Sequence, residues 1–378
     1  MIMNKTACNE NLIKSSFSDT VFIFGLARSG TAMLRALLNQ SKELCIDPYE
    51  AHFLVNWMLN WKIFGDLSQK ENFSQFYRHM DQYGRFGRKL NESVRGIDES
   101  TWYSLCCDFS VQGVFEGLVR CQTGTKNSEQ FVLVNKTPRL VNFVSLLYES
   151  FPSAKFLHLI RDGRDTVLSQ HYFSMKRFNH PEDQKLTAFW ENLVKYRGKK
   201  SMVVDVQQWA EKIEKVRSEK NNFSEQYMEV KYEDLLTRPE TTLKKVCGFI
   251  GISYFPEMAT FRRRMKTHSD AKVSDSLLKN NFDKYIKGIE SSILAEMEDV
   301  AGNALENQGY TVINSYKPKK LSRLKKAWYK LFSRYEILSA AVKELGISHG
   351  FRFFFQFNTW QYRRKQKRDS REKRIKGK

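Results

Sequence analysis

The chain has 378 residues, 41% of them hydrophobic, and a formal net charge of +20 at pH 7. That length supports one large α/β domain, or two modest ones, with a core that needs neither disulfides nor a structural metal. The six cysteines, Cys8, Cys45, Cys106, Cys107, Cys121 and Cys247, form no CxxC pair and no zinc pattern with histidine, which fits buried thiols in a reducing, cytoplasmic setting.

The N-terminal segment, residues 1–19, is mixed in polarity and has no apolar core of signal-peptide length. No apolar run anywhere approaches the ~20 residues needed to span a bilayer, so the expected protein is soluble, or peripheral to a membrane at most. The run Val21-Phe22-Ile23-Phe24 is followed by Gly25-Leu26-Ala27-Arg28-Ser29-Gly30-Thr31, then by Met33, Leu34, Leu37 and Leu38 at helical spacing. This reads as strand, glycine-bounded loop and helix. A second such unit starts at Phe131-Val132-Leu133-Val134. A third, Lys155 to Ile160, runs into Arg161-Asp162-Gly163-Arg164-Asp165 and a helix from about Thr166. A fourth strand, Tyr227 to Val230, leads through Lys231-Tyr232-Glu233-Asp234 and Pro239 to a helix over Thr241 to Gly251. Strands alternating with helices predict an α/β fold, a three-layer P-loop-like arrangement with a mainly parallel central sheet flanked by helices. Aromatic-rich helical stretches, Ala51 to Tyr83 and Thr187 to Arg217, are expected to wall an acceptor cleft. A boundary near Tyr316 separates the 20–315 domain from a basic helical C-terminal extension, 316–378.

The loop Gly25 to Thr31 has P-loop glycine spacing, and backbone N–H groups at a helix N-terminus bind anions. A nucleoside-triphosphate P-loop places Lys and then Ser/Thr after its second glycine, whereas Thr31 follows Gly30 directly here, which argues against an ATPase or kinase. Arg28 supplies the loop's positive charge instead, suited to the oxygens of a phosphosulfate. The second element sets Arg161 at a strand end and Ser169 about two turns into the next helix, a pair that can grip another phosphate.

Three separated patterns, the GxxRSGT loop, Lys136-Thr137-Pro138-Arg139, and Phe156 to Ser169, together resemble the sulfotransferases that use 3′-phosphoadenosine-5′-phosphosulfate (PAPS). The similarity is strongest to the branch containing protein-tyrosine and many bacterial sulfotransferases, and covers roughly Thr20 to Tyr310. It implies a PAPS donor whose 5′-phosphosulfate is held by Arg28, Ser29, Gly30, Thr31 and Ala32 and whose 3′-phosphate is read by Arg161 and Ser169. It further implies that Lys136 approaches the bridging oxygen, that Tyr232 lies near the nucleotide, and that a segment bearing Ser274 and Lys284 closes over it. The resemblance also implies a catalytic base in the Cys45 to Phe53 segment, where Glu50 fits best, with Asp47 and His52 as alternatives. No metal is expected, because a sulfuryl group carries less charge than a phosphoryl group. The acceptor that the resemblance implies is a hydroxyl of a glycan, protein tyrosine, lipid or small molecule.

From Tyr316 onward there are about 20 Lys/Arg against about 4 Asp/Glu, so most of the excess charge sits in the tail. Leu321, Leu324, Trp328 and Leu331 recur there among Lys319, Lys320, Arg323, Lys325 and Lys326, a basic amphipathic pattern suited to an anionic membrane surface or a polyanion. It is equally the pattern of a helix packed on the domain. Two rival readings are a kinase-like nucleotide-binding protein and a non-catalytic polyanion-binding protein. A nucleic acid is not the expected partner, since charge runs without a recognition motif are weak signals.

Overall fold

The computed structural model describes residues 19–82, 96–125, 131–176, 199–260, 281–348 and 351. It divides into two compact units: one takes in Met1–Arg161 and Lys212–Phe282, the other Asp162–Glu211 and Asp283–Lys378.

The first unit is built on five strands: β1 (Thr20–Gly25), β2 (Leu44–Ile46), β3 (Val132–Lys136), β4 (Lys155–Ile160) and β5 (Tyr227–Lys231). They form one sheet in the order β2-β3-β1-β4-β5, and every neighbouring pair is parallel. The expected strands are all present. β2 is an addition, only three residues long and too short to show a periodicity.

Alternation along the strands buries both faces. Phe22, Phe24, Leu133 and Phe156 join Trp57, Phe73, Phe76, Trp102 and Phe115 in one cluster. Val21, Ile23, Val134, Leu157, Leu159 and Val230 join Leu34, Leu37, Leu38, Leu243 and Ile250 in the other. The aromatic stretch from Ala51 thus spends Trp57, Phe73 and Phe76 on core packing; it comprises two helices, Leu54–Asn60 and Lys70–Gln82, with a 3-10 turn at Trp61–Phe64 between them. Residues 187–198 of the second aromatic stretch lie outside the described residues.

β1 is central, with β3 on one side and β4 on the other. The chain switches direction across the sheet there, and in open parallel sheets the crevice at the carboxyl ends of such strands is where ligands bind. The loops after β1, β3 and β4 therefore occupy the position that matters.

The second unit is helical, with helices Gly163–Lys176, Tyr285–Gly288, Ser291–Asn307 and Arg323–Leu345. Within it Arg164 is fully buried. Arg164 bonds both oxygens of Asp162, pairs with Glu298, donates to the Thr311 carbonyl at 2.8 Å and lies 3.9 Å over the Tyr285 ring. Glu298 in turn accepts from the Ile313 and Asn314 backbone N–H groups. Among the described residues, no helix is long and apolar enough to cross a membrane.

Candidate active site

β1 ends at Gly25, where φ is +153° and a Cβ would lie 2.4 Å from the Leu159 carbonyl oxygen of β4. Only glycine allows the chain to turn off the sheet so close to its neighbour. Arg28 takes a positive φ of 75° at the loop's crown. The loop closes at Gly30, with φ +100°, which serves as N-cap of the Thr31–Leu38 helix without any side-chain cap. An uncapped helix N-terminus carries a partial positive charge and unspent N–H donors, an anion site. The Ser29 hydroxyl is buried beside it and has no hydrogen-bond partner among the described residues, a polar atom that an anion would satisfy.

Gly30 also sets a contact that the sequence does not announce. A Cβ there would stand 2.3 Å from Cδ2 of Tyr232. The Gly30→Ala variant is therefore expected to displace the loop or the ring, at a cost of about 1–3 kcal/mol from the left-handed φ alone. Its thermal midpoint should fall by several degrees and its nucleotide affinity by more than tenfold; an unchanged midpoint with unchanged affinity would contradict the loop geometry.

Arg161 follows β4 and is 5% exposed. Its guanidinium donates to the Arg28 carbonyl at 3.4 Å and to the Asn281 carbonyl at 3.0 Å, and lies 4.5 Å over the Tyr232 ring. The Asn281 amide donates to the Tyr232 hydroxyl at 2.6 Å. Tyr232 is thus wedged between Gly30 and Arg161, and it fixes the guanidinium plane at the rim of the anion loop. Asn281 was not singled out by the sequence. Its signal was indirect, since it falls in the segment expected to close over the nucleotide.

A second constellation lies at the ends of β2 and β3. Asp47 accepts from the Tyr49 N–H at 2.8 Å and the Asn135 amide at 2.6 Å, while the Asp47 carbonyl accepts from Arg35 at 3.4 Å. Thr137 donates to the Asn135 side chain at 2.8 Å and accepts from the Ala51 N–H at 2.7 Å. Residues 47 to 51 are in this way bound to β3. Burial pushes the Asp47 carboxyl up to about 6, against the pull of the Tyr49 and Asn135 hydrogen bonds and of Arg35. With both oxygens committed and the group 2% exposed, Asp47 acts as a tether in this geometry.

Glu50 projects from the tethered loop. One of its oxygens pairs with the Lys136 ammonium, and the other lies 2.8 Å from Nε2 of His52. Lys136 is 3% exposed and Glu50 20% at the side chain. The pairing of Ile23 with Lys136 in the β1–β3 register puts this lysine beside the strand that carries the anion loop. The structure therefore brings together Glu50, His52 and Lys136, and separately Arg28, Ser29, Gly30, Arg161 and Tyr232, all within the first unit. Ser169 is half-buried in the Gly163–Lys176 helix of the second unit, and Lys284 is exposed just before its Tyr285–Gly288 helix. Ser274 lies outside the described residues.

A parallel sheet with a glycine-bounded anion loop at its switch point defines a P-loop-like α/β protein. The model of the sulfotransferase family matches residues 20–257, and the chain belongs to that family. Protein-tyrosine sulfotransferase A of Caenorhabditis elegans is 24% identical over 294 residues, covering 75% of this chain and 65% of its own. The protein-tyrosine sulfotransferase of Drosophila melanogaster is 23% identical over 299 residues, covering 74% of this chain and 50% of its own. This chain accordingly spans less than two thirds of the length of these relatives. The sulfotransferase domain from the curacin biosynthetic pathway shares the fold, with a TM-score of 0.50 at 16% identity over 79% of this chain and 100% of its own.

Proposed function

We propose that the chain transfers a sulfuryl group from PAPS to an acceptor hydroxyl. The observation that carries this reading is the pairing of Glu50, on the loop after β2, with Lys136 at the end of β3, the strand next to the one that carries the anion loop. PAPS, when bound, supplies the activated sulfuryl group on a bisphosphate leaving group. The buried Ser29 hydroxyl, the uncapped helix N-terminus and the Arg28 side chain suit its 5′-phosphosulfate, with Thr31 and Ala32 contributing the first N–H groups of the helix. Arg161, held flat by Tyr232, suits the 3′-phosphate. Ser169 and Lys284 keep their assignment to the donor from the sequence resemblance alone.

Glu50 is the base: a carboxylate oxygen accepts the acceptor's proton as its oxygen becomes nucleophilic. Lys136 places a cation where negative charge grows on the departing oxygen. His52, bonded to the second oxygen of Glu50, orients the carboxylate. Fixed cations and N–H donors meet the charge demand of the transfer, so we propose metal-independent chemistry.

A tyrosyl hydroxyl is the first acceptor to test, because the relatives carry that name; glycan, lipid and small phenolic hydroxyls follow. Incubation with 35S-labelled PAPS and these acceptors, in the presence of a metal chelator, is expected to label one class in proportion to enzyme. Donor turnover that needs Mg²⁺ and consumes ATP instead would overturn the reading.

A further inference from the structure

The Arg323–Leu345 helix is not absorbed by this account. One side of it is packed within the second unit: Tyr329 and Ser333 are buried, the Tyr329 hydroxyl donates to Glu296 at 2.7 Å, and Lys326 donates to Glu211 at 3.0 Å. Ser322 caps its start by accepting from the Lys325 N–H. The docked side shows that the helix is a fixed part of its unit. The apolar pattern, however, is not what docks it. Leu324 is 84% exposed, Trp328 59%, Leu331 58% and Tyr335 64%.

At about 100° per residue these four side chains fall within roughly 60° of arc, on the side opposite Tyr329 and Ser333. Arg323, Lys330 and Arg334 run along one flank of that stripe, and Lys325 and Lys343 along the other; all five are exposed. Glu336 is the one acid whose side chain is described on the helix; it is half-buried and lies on the Lys325–Lys343 flank, not on the stripe, so the Arg323-Lys330-Arg334 flank is the wholly cationic one. We infer that this helix is an interfacial anchor, which seats the Leu324-Trp328-Leu331-Tyr335 stripe in the headgroup region of an anionic lipid bilayer while the flanking cations meet lipid phosphates and carboxylates.

Two features select a lipid surface. An apolar stripe with a Trp and a Tyr between rows of cations matches the polarity profile of a bilayer interface, apolar at depth and anionic at the rim. A second copy of the chain, stripe to stripe, would bring cation rows against cation rows, and a polyanion would leave the stripe in water.

The test uses the full chain and does not depend on transfer activity. Sedimentation with phosphatidylcholine vesicles containing one third phosphatidylserine is expected to carry the protein down, with binding about tenfold weaker to pure phosphatidylcholine and weakened by salt. The double variant Trp328→Glu/Leu331→Glu should lose at least tenfold in binding with its circular dichroism and melting midpoint unchanged, since both side chains are exposed. Leu324→Ser, a single change at the most exposed position, should weaken binding severalfold and guards against a folding artefact. Binding that ignores these substitutions, that is equal on neutral vesicles, or that transfers to heparin with the stripe variants unaffected would overturn the proposal. So would a stripe-dependent dimer, seen by light scattering, that does not bind vesicles.

Discussion

Replacing Lys136 with alanine is expected to lower the rate of sulfuryl transfer by about 10²–10³-fold with little change in affinity for adenosine-3′,5′-bisphosphate. The asymmetry follows from the role: a cation aimed at a departing oxygen interacts more strongly as charge develops than with the bound donor. Burial to 3% exposure and the pairing with Glu50 suit Lys136 to this proposed role. Glu50→Ala should cost about 10²–10⁴-fold through loss of the base. The two losses should not add, because each variant also strands the other's partner. His52 distinguishes the bases. If it orients Glu50 through the 2.8 Å contact, His52→Ala should lower kcat about tenfold or less, and His52→Gln should recover part of the loss by restoring an N–H donor. Activity abolished in His52→Gln but retained in Glu50→Gln would transfer the base to His52.

The second large effect is on stability. Arg164→Ala should destabilise the folded chain by about 3–5 kcal/mol. Arg164 is fully buried, and its removal leaves Asp162 and Glu298, 3% and 0% exposed, without their shared cation. Burial alone would lower the pKa of this guanidinium; the hydrogen bond and charge of Asp162, with Glu298, outweigh it and hold the pKa raised. Against a typical total of about 5–15 kcal/mol, such a loss is large. Urea unfolding would show a midpoint shift with unchanged slope. A midpoint within error of wild type would mean that the cluster relaxes or takes up water at no cost.

The Arg161-Asp162-Gly163-Arg164-Asp165 motif shows what a sequence does and does not reveal. Its position at a strand end suggested Arg161 as a phosphate ligand, and in the structure its guanidinium donates to the Arg28 carbonyl of the loop. The same composition gave no hint that Arg164 would serve packing in the helical unit, because its carboxylate partner Glu298 is 134 residues away and carries no local signal. The sheet was legible because its longer strands are apolar runs ending in glycine or charge, whereas β2, with three residues, has no room for a period. In the Cys45 to Phe53 segment the sequence offered three candidates for one role. Geometry sets one of them apart: Asp47 is consumed by Asn135 and Tyr49, whereas Glu50 meets both Lys136 and His52. The tether through Asn135 and Thr137 was hidden because strand residues flanking a lysine read as ordinary ladder positions. The tail's amphipathic pattern was read correctly as a helix, but periodicity cannot say which face is covered. Here Leu321 is buried while Leu324, Trp328 and Leu331 are exposed.

Calorimetric titration of the metal-free protein with adenosine-3′,5′-bisphosphate, against ATP with and without Mg²⁺, tests the central claim most directly when run on wild type and Arg161→Ala. The account predicts bisphosphate binding to wild type, weaker binding of ATP, and a loss of about tenfold to a hundredfold in the variant, as expected for removal of one charged contact to phosphate. Equal bisphosphate affinity in the variant, or a preference for ATP with Mg²⁺, would contradict it.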